Sequence, residues 1–279
     1  MKIKELLGVT RERLSSAGIE EAPLEAELLM RHALKLDAVA FLNNLDKELI
    51  PRQERLIDSI ADCRLSGEPL AYITGIREFY GLEFAVNPSV LIPRPETEHL
   101  VEKAIELARK ISAPIIADIG TGSGAIVVSL AVNLPHARIY ATDISPEALE
   151  TARSNAERHK VASRITFLPG DLTAPLPEPV DILIANLPYV KSADCASSPE
   201  PHLALDGGED GLDVIKKLCA GLRGKLKPGG WVLLEIGQGQ ESRVKELLVV
   251  ALPNSSIETI KDLAGIERVV WAQIDDIIV

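Results

Sequence analysis

Apolar positions along the chain fall into three successive regimes. From residue 1 to about 68 they recur at helical intervals. In "LEAELLMRHALKL", Leu24, Leu28, Leu29 and Leu36 lie near one face, with Glu25, Glu27 and Arg31 on others. "PRQERLIDSIADCRL" opens on Pro51, which suits a first helical turn, and repeats Leu56, Ile60 and Cys63 until Gly67 stops it. The pattern predicts a bundle of about three short helices over residues 1–68. Such a bundle either packs only on the rest of the chain or binds a macromolecular partner.

Residues 69–95 are rich in aromatic and β-branched positions, with Gly81 between two short runs of "YITGIREFYGLEFAVNPSVLI", so a hairpin-like connector is expected there. From residue 96 a helix follows, with Pro95 at its start and Glu96 and Glu98 in the first turn, where carboxylates suit the positive end of the helix dipole. From Ile115 short apolar runs alternate with helical stretches: "PIIADIG", "ARIYATDIS", "RITFLPGD", "VDILIANLPY" and "GGWVLLEIG". A further helix near Glu241 to Val250 and two closing strands complete the series. Strands alternating with helices predict an α/β fold with a mostly parallel sheet covered on both faces, over residues 96–279.

Composition narrows this picture only a little. The chain has 279 residues, 46% hydrophobic and 25% charged, enough for two domains with a sizeable core. No apolar run has the length of a membrane span, and "MKIKELLGVT" does not read as a signal peptide, so a cytoplasmic protein is expected. The formal net charge of −11 argues against a phosphate backbone as the main partner. Cys63, Cys195 and Cys219 are far apart, and the five histidines form no H-x-x-x-H pair, so no metal site is expected.

Two stretches carry chemistry. "ADIGTGSGA" follows a strand and opens a helix. Gly120, Gly122 and Gly124 allow a sharp turn and close approach of a ligand to the backbone, and the helix end behind them can receive an anion. The spacing is G-x-G-x-G, unlike the dinucleotide G-x-G-x-x-G. Asp143 ends the next strand, where an acid can accept from both ribose hydroxyls. Asp171 ends the third, where a base edge would lie. Asp118, just ahead of the glycines, could face a cationic amino group. Acids for a ribose, a base and an ammonium, with a helix end for a carboxylate, match S-adenosylmethionine better than a dinucleotide.

The second stretch is Asn186-Leu187-Pro188-Tyr189, at the end of the fourth run. The Asn186 side chain and the backbone carbonyl of residue 187 offer two acceptors for the N–H groups of a planar amide or exocyclic amine. Pro188 stiffens the turn, and Tyr189 can stack on the planar group and attract a sulfonium. Holding such a nitrogen toward a methyl donor is a matter of orientation, worth several kcal/mol.

With "GEPLAYITGIREFYGLEFAVNPSVLIPRPETE" (residues 67–98), "DIGTGSGAI", "ATDIS" and "EPHLALDGGEDGLD", nearly the whole chain closely resembles the HemK/PrmC family of peptide chain release factor glutamine N5-methyltransferases. The resemblance implies a seven-stranded, Rossmann-like methyltransferase domain that uses S-adenosylmethionine. It implies methylation of the glutamine amide in the GGQ motif of class I release factors, with the N-terminal helical domain on the substrate protein. Carried over by position, the cofactor residues are Gly120, Thr121, Gly122, Ser123, Gly124, Asp143, Leu172 beside Asp171, and Asn186. The substrate glutamine would meet Asn186, Leu187, Pro188 and Tyr189. Two departures stand out. The family pattern is NPPY where this chain has NLPY, and the segment from Tyr189 to Glu200 is a few residues shorter than usual. NLPY is also the form seen in ribosomal RNA adenine dimethylases, which makes an RNA or DNA adenine N6-methyltransferase the rival reading. A non-catalytic cofactor-binding protein is a third. The acidic charge and the PRPETE segment argue for the protein substrate.

Overall fold

The computed structural model describes residues 1–275, so the last four positions of the expected 96–279 domain lie outside the described residues. The chain divides into two compact units, the first running from Met1 to Ile76 and the second starting at Arg77.

The first unit is helical: α1 (Ile3–Ser16), α2 (Ala22–Leu34), α3 (Ala38–Asn43), α4 (Pro51–Leu65) and α5 (Leu70–Thr74). The buried stripe of α2 is Ala22, Ala26, Leu29 and Met30, while Leu24 is 50% exposed. On α4 it is Ile57 and Ala61, while Leu56 is 46% exposed. In both helices the stripe includes alanines where the sequence reading favoured leucines, because a small side chain lets neighbouring helices approach closely. The expected boundary at residue 68 moves to Ile76. Residues 70–74 are helix rather than connector strand, since Leu70 and Ile73 pack onto the same apolar cluster as α1 and α2.

The second unit opens with a hairpin, β1 (Ile76–Phe79) and β2 (Leu82–Ala85). Tyr80 and Gly81 make its turn, both with positive φ (51° and 70°), as a two-residue hairpin loop of the primed type requires. The Tyr80 N–H donates to Glu98 Oε1 at 2.8 Å. Glu98 therefore closes the hairpin turn as well as favouring the start of α6 (Glu98–Ala108), which follows a 3₁₀ turn over Pro95–Thr97. Next come β3 (Ile115–Ile119), α7 (Ala125–Asn133), β4 (Arg138–Asp143), α8 (Pro146–Arg158), β5 (Ile165–Pro169) and β6 (Val180–Ala185). Two single-turn helices, α9 (Ser192–Cys195) and α10 (His202–Leu205), lead to α11 (Asp213–Ala220), β7 (Leu226–Glu235), α12 (Glu241–Ala251), β8 (Ser256–Lys261) and β9 (Glu267–Gln273).

Seven of the strands form one sheet in the order β5-β4-β3-β6-β7-β9-β8, parallel except for β9, which runs antiparallel to β7 and β8. Alternate residues feed two separate cores. Ile116, Ile182, Ile184 and Leu233 face one side with α6, α7, α8 and the hairpin's Phe79 and Phe84. Ala117, Ile119, Leu183, Ala185, Val232 and Leu234 face the other with α11 and α12. Helix α7 is apolar on every side and wholly buried from Ala125 to Ala131, as a helix sandwiched in a core should be. The strand order reverses between β3 and β6, so their carboxyl ends open a crevice at a topological switch point. Among the described residues no helix is long and apolar enough to cross a membrane.

One buried polar side chain ties the hairpin to the turn after β3. Asn155 of α8 has no exposed surface. Its Oδ1 accepts from Ala85 N–H at 2.7 Å, and its Nδ2 donates to the carbonyls of Ala85 and Ser123, both at 2.9 Å. Replacing it by alanine strands three backbone groups, one buried and two partly buried, and an unpaired buried group costs about 1–3 kcal/mol. We expect Asn155→Ala to lower the urea midpoint by the equivalent of at least about 2 kcal/mol with an unchanged m-value.

Candidate active site

A cavity of about 730 Å³ opens at the carboxyl ends of β3, β4 and β6. Its volume is in the range of small-molecule sites. Of the residues singled out in the sequence, Gly120, Thr121, Gly122, Ser123, Asp143, Asp171, Leu172, Asn186, Leu187 and Pro188 all line it. Asp118, Gly124 and Tyr189 do not.

The glycine turn has physical grounds at each position. Gly120, Gly122 and Gly124 have φ of +76°, +54° and +79°, a region costly for residues with a Cβ. A Cβ on Gly124 would sit 2.9 Å from Ala152 Cβ, so the third glycine serves the packing of α7 on α8 rather than the cavity wall. A Cβ on Gly120 would meet Leu187 Cδ2 at 3.0 Å, because the two turns pack against one another. The N–H groups of Gly120 and Thr121 both donate to the Thr142 carbonyl at 2.9 Å, fastening the turn to the end of β4.

Asp143 is preset by its neighbours. Its Oδ2 accepts from Gly122 N–H at 2.8 Å and its Oδ1 from Ser145 N–H at 2.9 Å. Burial raises its pKa, and these N–H bonds act in the opposite direction. Each carboxylate oxygen keeps a free lone-pair direction for a diol. Asp171 is more exposed and pairs with Lys217 at 2.5 Å, a contact to be exchanged or shared with any base edge bound there. Leu172 takes up positive φ (48°), and its carbonyl accepts from Thr142 Oγ1 at 3.0 Å.

Asp118 lies behind the wall. It is fully buried, and neither its carboxyl oxygens nor the Thr121 hydroxyl make a hydrogen bond of normal geometry. On β3 it shares a face with Ile116, and its neighbours Thr121 and Asp143 line the cavity. Burial pushes the carboxyl up to about 7, opposed in part by the nearby Thr121 hydroxyl and reinforced by Asp143. The direct ammonium contact expected of Asp118 is therefore absent from the cavity lining.

Tyr189 also departs from expectation. It lines a second recess with Lys191 and Arg243 and is not among the residues lining the main cavity, and its hydroxyl donates to Glu235 Oε1 at 3.2 Å. Burial, then the charge of Glu235, raises the phenol's pKa. Leu187 is 4% exposed, belongs to the core cluster under α11 and α12, and also lines the cavity.

Several residues that hold this corner were not singled out. Gly211, at φ +75°, lets its backbone lie so close to the Tyr189 carbonyl that a Cβ would come within 2.4 Å of that oxygen. A Cβ on Gly207 would meet the Pro188 carbonyl at 2.7 Å. Gln240 donates from Nε2 to the Tyr189 carbonyl at 3.0 Å. Gly207 N–H donates to the Val190 carbonyl at 2.8 Å, and Val190 N–H to Leu205 at 3.0 Å. Thr97 accepts from Asn186 Nδ2 at 3.1 Å, and Glu235 is buried at the end of β7. A lone acid closing the apolar run "WVLLE" is a signal for Glu235, and an asparagine on the buried face of α8 is one for Asn155.

This arrangement suits S-adenosylmethionine: a cradle a Cβ would fill, an acid with N–H-bound oxygens at the end of β4, and an unpartnered buried hydroxyl on Thr121. Comparison with known proteins agrees. Residues 5–75 match the PrmC N-terminal domain and residues 101–238 a methyltransferase domain. The chain is 44% identical over 274 residues to the release factor glutamine methyltransferase of Moorella thermoacetica, covering 96% of this chain and 97% of that one. It is 42% identical to the protein of the same name from Bradyrhizobium diazoefficiens, covering 94% and 91%. The catalytic domain of hMettl16 in complex with an RNA hairpin shares the fold, with a TM-score of 0.59 at 17% identity over 75% of this chain and 81% of that one. So does a methyltransferase from Pyrococcus furiosus, with a TM-score of 0.53 at 18% identity over 71% and 91%.

The buried Asp118 makes a pH prediction. A carboxyl with a raised pKa holds its proton in the folded chain where the unfolded chain has already lost it. Stability therefore falls as pH rises from about 3.8 toward about 7. Asp118→Asn has nothing to titrate there. Its thermal midpoint, measured from pH 5 to 7.5, should change less with pH than that of the parent.

Proposed function

The chain belongs to the release factor glutamine methyltransferase family, and we propose that it methylates the side-chain amide nitrogen (N5) of the GGQ glutamine in class I release factors. S-adenosylmethionine is the cofactor, and when bound it supplies an electrophilic methyl group. The observation that carries the assignment of roles is that the glycine turn and the Asn186-Leu187-Pro188 turn line one cavity. Gly120 to Gly124 would cradle the cofactor's amino-acid end, Asp143 its ribose, and Asp171 with Leu172 its base.

An amide nitrogen is a poor nucleophile because its lone pair is delocalised into the carbonyl. The chain's own residues address this by orientation rather than by a strong base. The Asn186 side-chain oxygen and the Leu187 carbonyl accept the two N–H groups of the glutamine amide, which turns the nitrogen lone pair toward the methyl donor. Leu187 precedes a proline, so its backbone is confined to extended conformations, and its carbonyl direction is limited even though it is not itself proline. The low polarity of the buried leucine and the packed turn excludes water, which strengthens those hydrogen bonds. Proton loss follows easily once the nitrogen is alkylated and its acidity rises. Tyr189 supports the turn through its hydroxyl and its carbonyl rather than stacking on the substrate in this arrangement.

The partner is accordingly a release factor, with the N-terminal helical unit assigned to the substrate protein. The adenine N6 reading is not favoured, since the near-full-length relatives at 42–44% identity are named for a protein glutamine.

The test is transfer of labelled methyl to a purified class I release factor. Label should appear in the native factor and be absent when the GGQ glutamine is replaced; equal labelling of both rules out the assignment. Asn186→Ala should reduce transfer at least about 100-fold, as expected when an orienting contact is lost, while S-adenosylmethionine affinity changes by no more than about threefold.

A further inference from the structure

Glu235 is an acid where an apolar strand ends. It is 2% exposed, one of its oxygens accepts from the Tyr189 hydroxyl at 3.2 Å, and the other has no hydrogen bond. Thr97 is beside it: no hydrogen bond of normal geometry joins the two, but the Thr97 hydroxyl favours the charged carboxylate and is the donor at hand for the unpartnered oxygen. On its other side Thr97 Oγ1 meets Asn186 Nδ2 at 3.1 Å. Both ends of the Asn-Leu-Pro-Tyr turn therefore come close to a single buried carboxylate, Tyr189 by a hydrogen bond and Asn186 by way of its partner Thr97.

The chain has a direction. A threonine hydroxyl carries one proton and can donate or accept. Turned to the unpartnered carboxylate oxygen, which only accepts, it would give that proton to Glu235 and accept from Asn186, as the Asn186 Nδ2 contact already has it. Asn186 then points its NH2 at Thr97 and its carbonyl oxygen at the cavity. Facing a protonated Glu235, the hydroxyl can accept from the acid and give its own proton to Asn186 Oδ1, which rotates the amide and presents NH2 to the cavity. Only the first orientation can accept an N–H from a substrate amide.

We propose that Glu235 and Thr97 are positioning residues: the Glu235 carboxylate fixes the direction of a Glu235–Thr97–Asn186 hydrogen-bond chain, so that Asn186 presents its acceptor oxygen to the substrate. The proposal rests on the reading that Asn186 holds the glutamine amide. The charged and titratable groups around Glu235 are Tyr189 on the turn, Glu96 beside Thr97, and Arg268 on β9. Burial pushes the Glu235 carboxyl up to about 7, the hydroxyls of Thr97 and Tyr189 and the charge of Arg268 act to lower it, and Glu96 adds to the rise. The switch between the two chain directions therefore falls at neutral pH, and the active direction is the one above it.

The experiment measures kcat, KM for the release factor and cofactor affinity from pH 6 to 9 for the parent, Glu235→Gln, Thr97→Val, Thr97→Ser and Asn186→Ala. In the parent, kcat should fall below about pH 7 with uptake of one proton. Glu235→Gln should lose that limb and show kcat at least fivefold lower at pH 8, with cofactor affinity within threefold. Thr97→Val should show a similar loss, and Thr97→Ser, which keeps the hydroxyl, should recover kcat to within threefold of the parent. A Glu235→Gln variant that retains the acid limb, or a Thr97→Val variant with normal kcat, overturns the proposal. If Glu235→Gln does not fold, the Thr97 pair decides on its own. If Asn186→Ala is inactive while the Glu235 and Thr97 variants are normal, the positioning role fails and the functional reading stands. Normal turnover in Asn186→Ala removes both.

Discussion

The pairing of Ile119 with Ala185 is the constraint on which the rest of the second unit depends. It sets β3 and β6 in parallel register, so the residues that follow, Gly120 and Asn186, leave the sheet side by side. One strand end then turns left-handed to receive a ligand, and the other turns through Leu187 and Pro188 to present backbone and amide groups to the same space. The absence of a Cβ at Gly120 lets Leu187 pack against it. A one-residue slip of β6 would send Asn186 to the opposite face and put a core residue at the cavity. The identities of the glycines, the leucine and the asparagine are thus consequences of one register.

Carbonyl groups at a strand end need fixed directions to act as acceptors, and the chain supplies them from outside the strand. The 205–212 loop brings Gly207 and Gly211 against the carbonyls of Pro188 and Tyr189 at distances that only a glycine backbone permits, and Gln240 from the start of α12 bonds the Tyr189 carbonyl. The segment that leads from Tyr189 to Glu200 is held at both ends. Glu200 is itself buried, accepting from Ile92 N–H at 2.9 Å and pairing with Arg94, so the segment is anchored at its far end. Support for the turn is thus distributed over the neighbours of Pro188 and Tyr189 rather than placed at residue 187.

The alternation of apolar runs with helical stretches made the parallel sheet legible, because strands buried on both faces must be continuously apolar and the crossovers between them must be helical. The placement of the glycine turn, Asp143 and Asn186 at strand ends was legible for a similar reason: it follows from the fold. Three features were not. Asp118 was read as facing the ligand, but side-chain direction on a strand depends on pleat parity, which places it with Ile116. Tyr189 was read as a stacking ring, but its hydroxyl has a buried carboxylate as partner, and that partner lies 46 residues further along the chain. The helical stripes of α2 and α4 were assigned by hydrophobicity, whereas close helix packing chose alanines. For Tyr189 and the helix stripes the deciding term was a long-range contact, which local pattern does not encode.

Asn155 has a consequence for how the molecule opens. Its three hydrogen bonds join Ala85 of the hairpin to Ser123 of the ligand-binding turn, the one to Ser123 fully buried and the two to Ala85 partly so. Neither element can detach without exposing unpaired groups in the other, so hairpin and turn should rise and fall as one cooperative unit of local unfolding. A molecule that occupies the turn thereby protects a hairpin it never touches, and the hairpin's integrity sets how often the turn is ready to receive it.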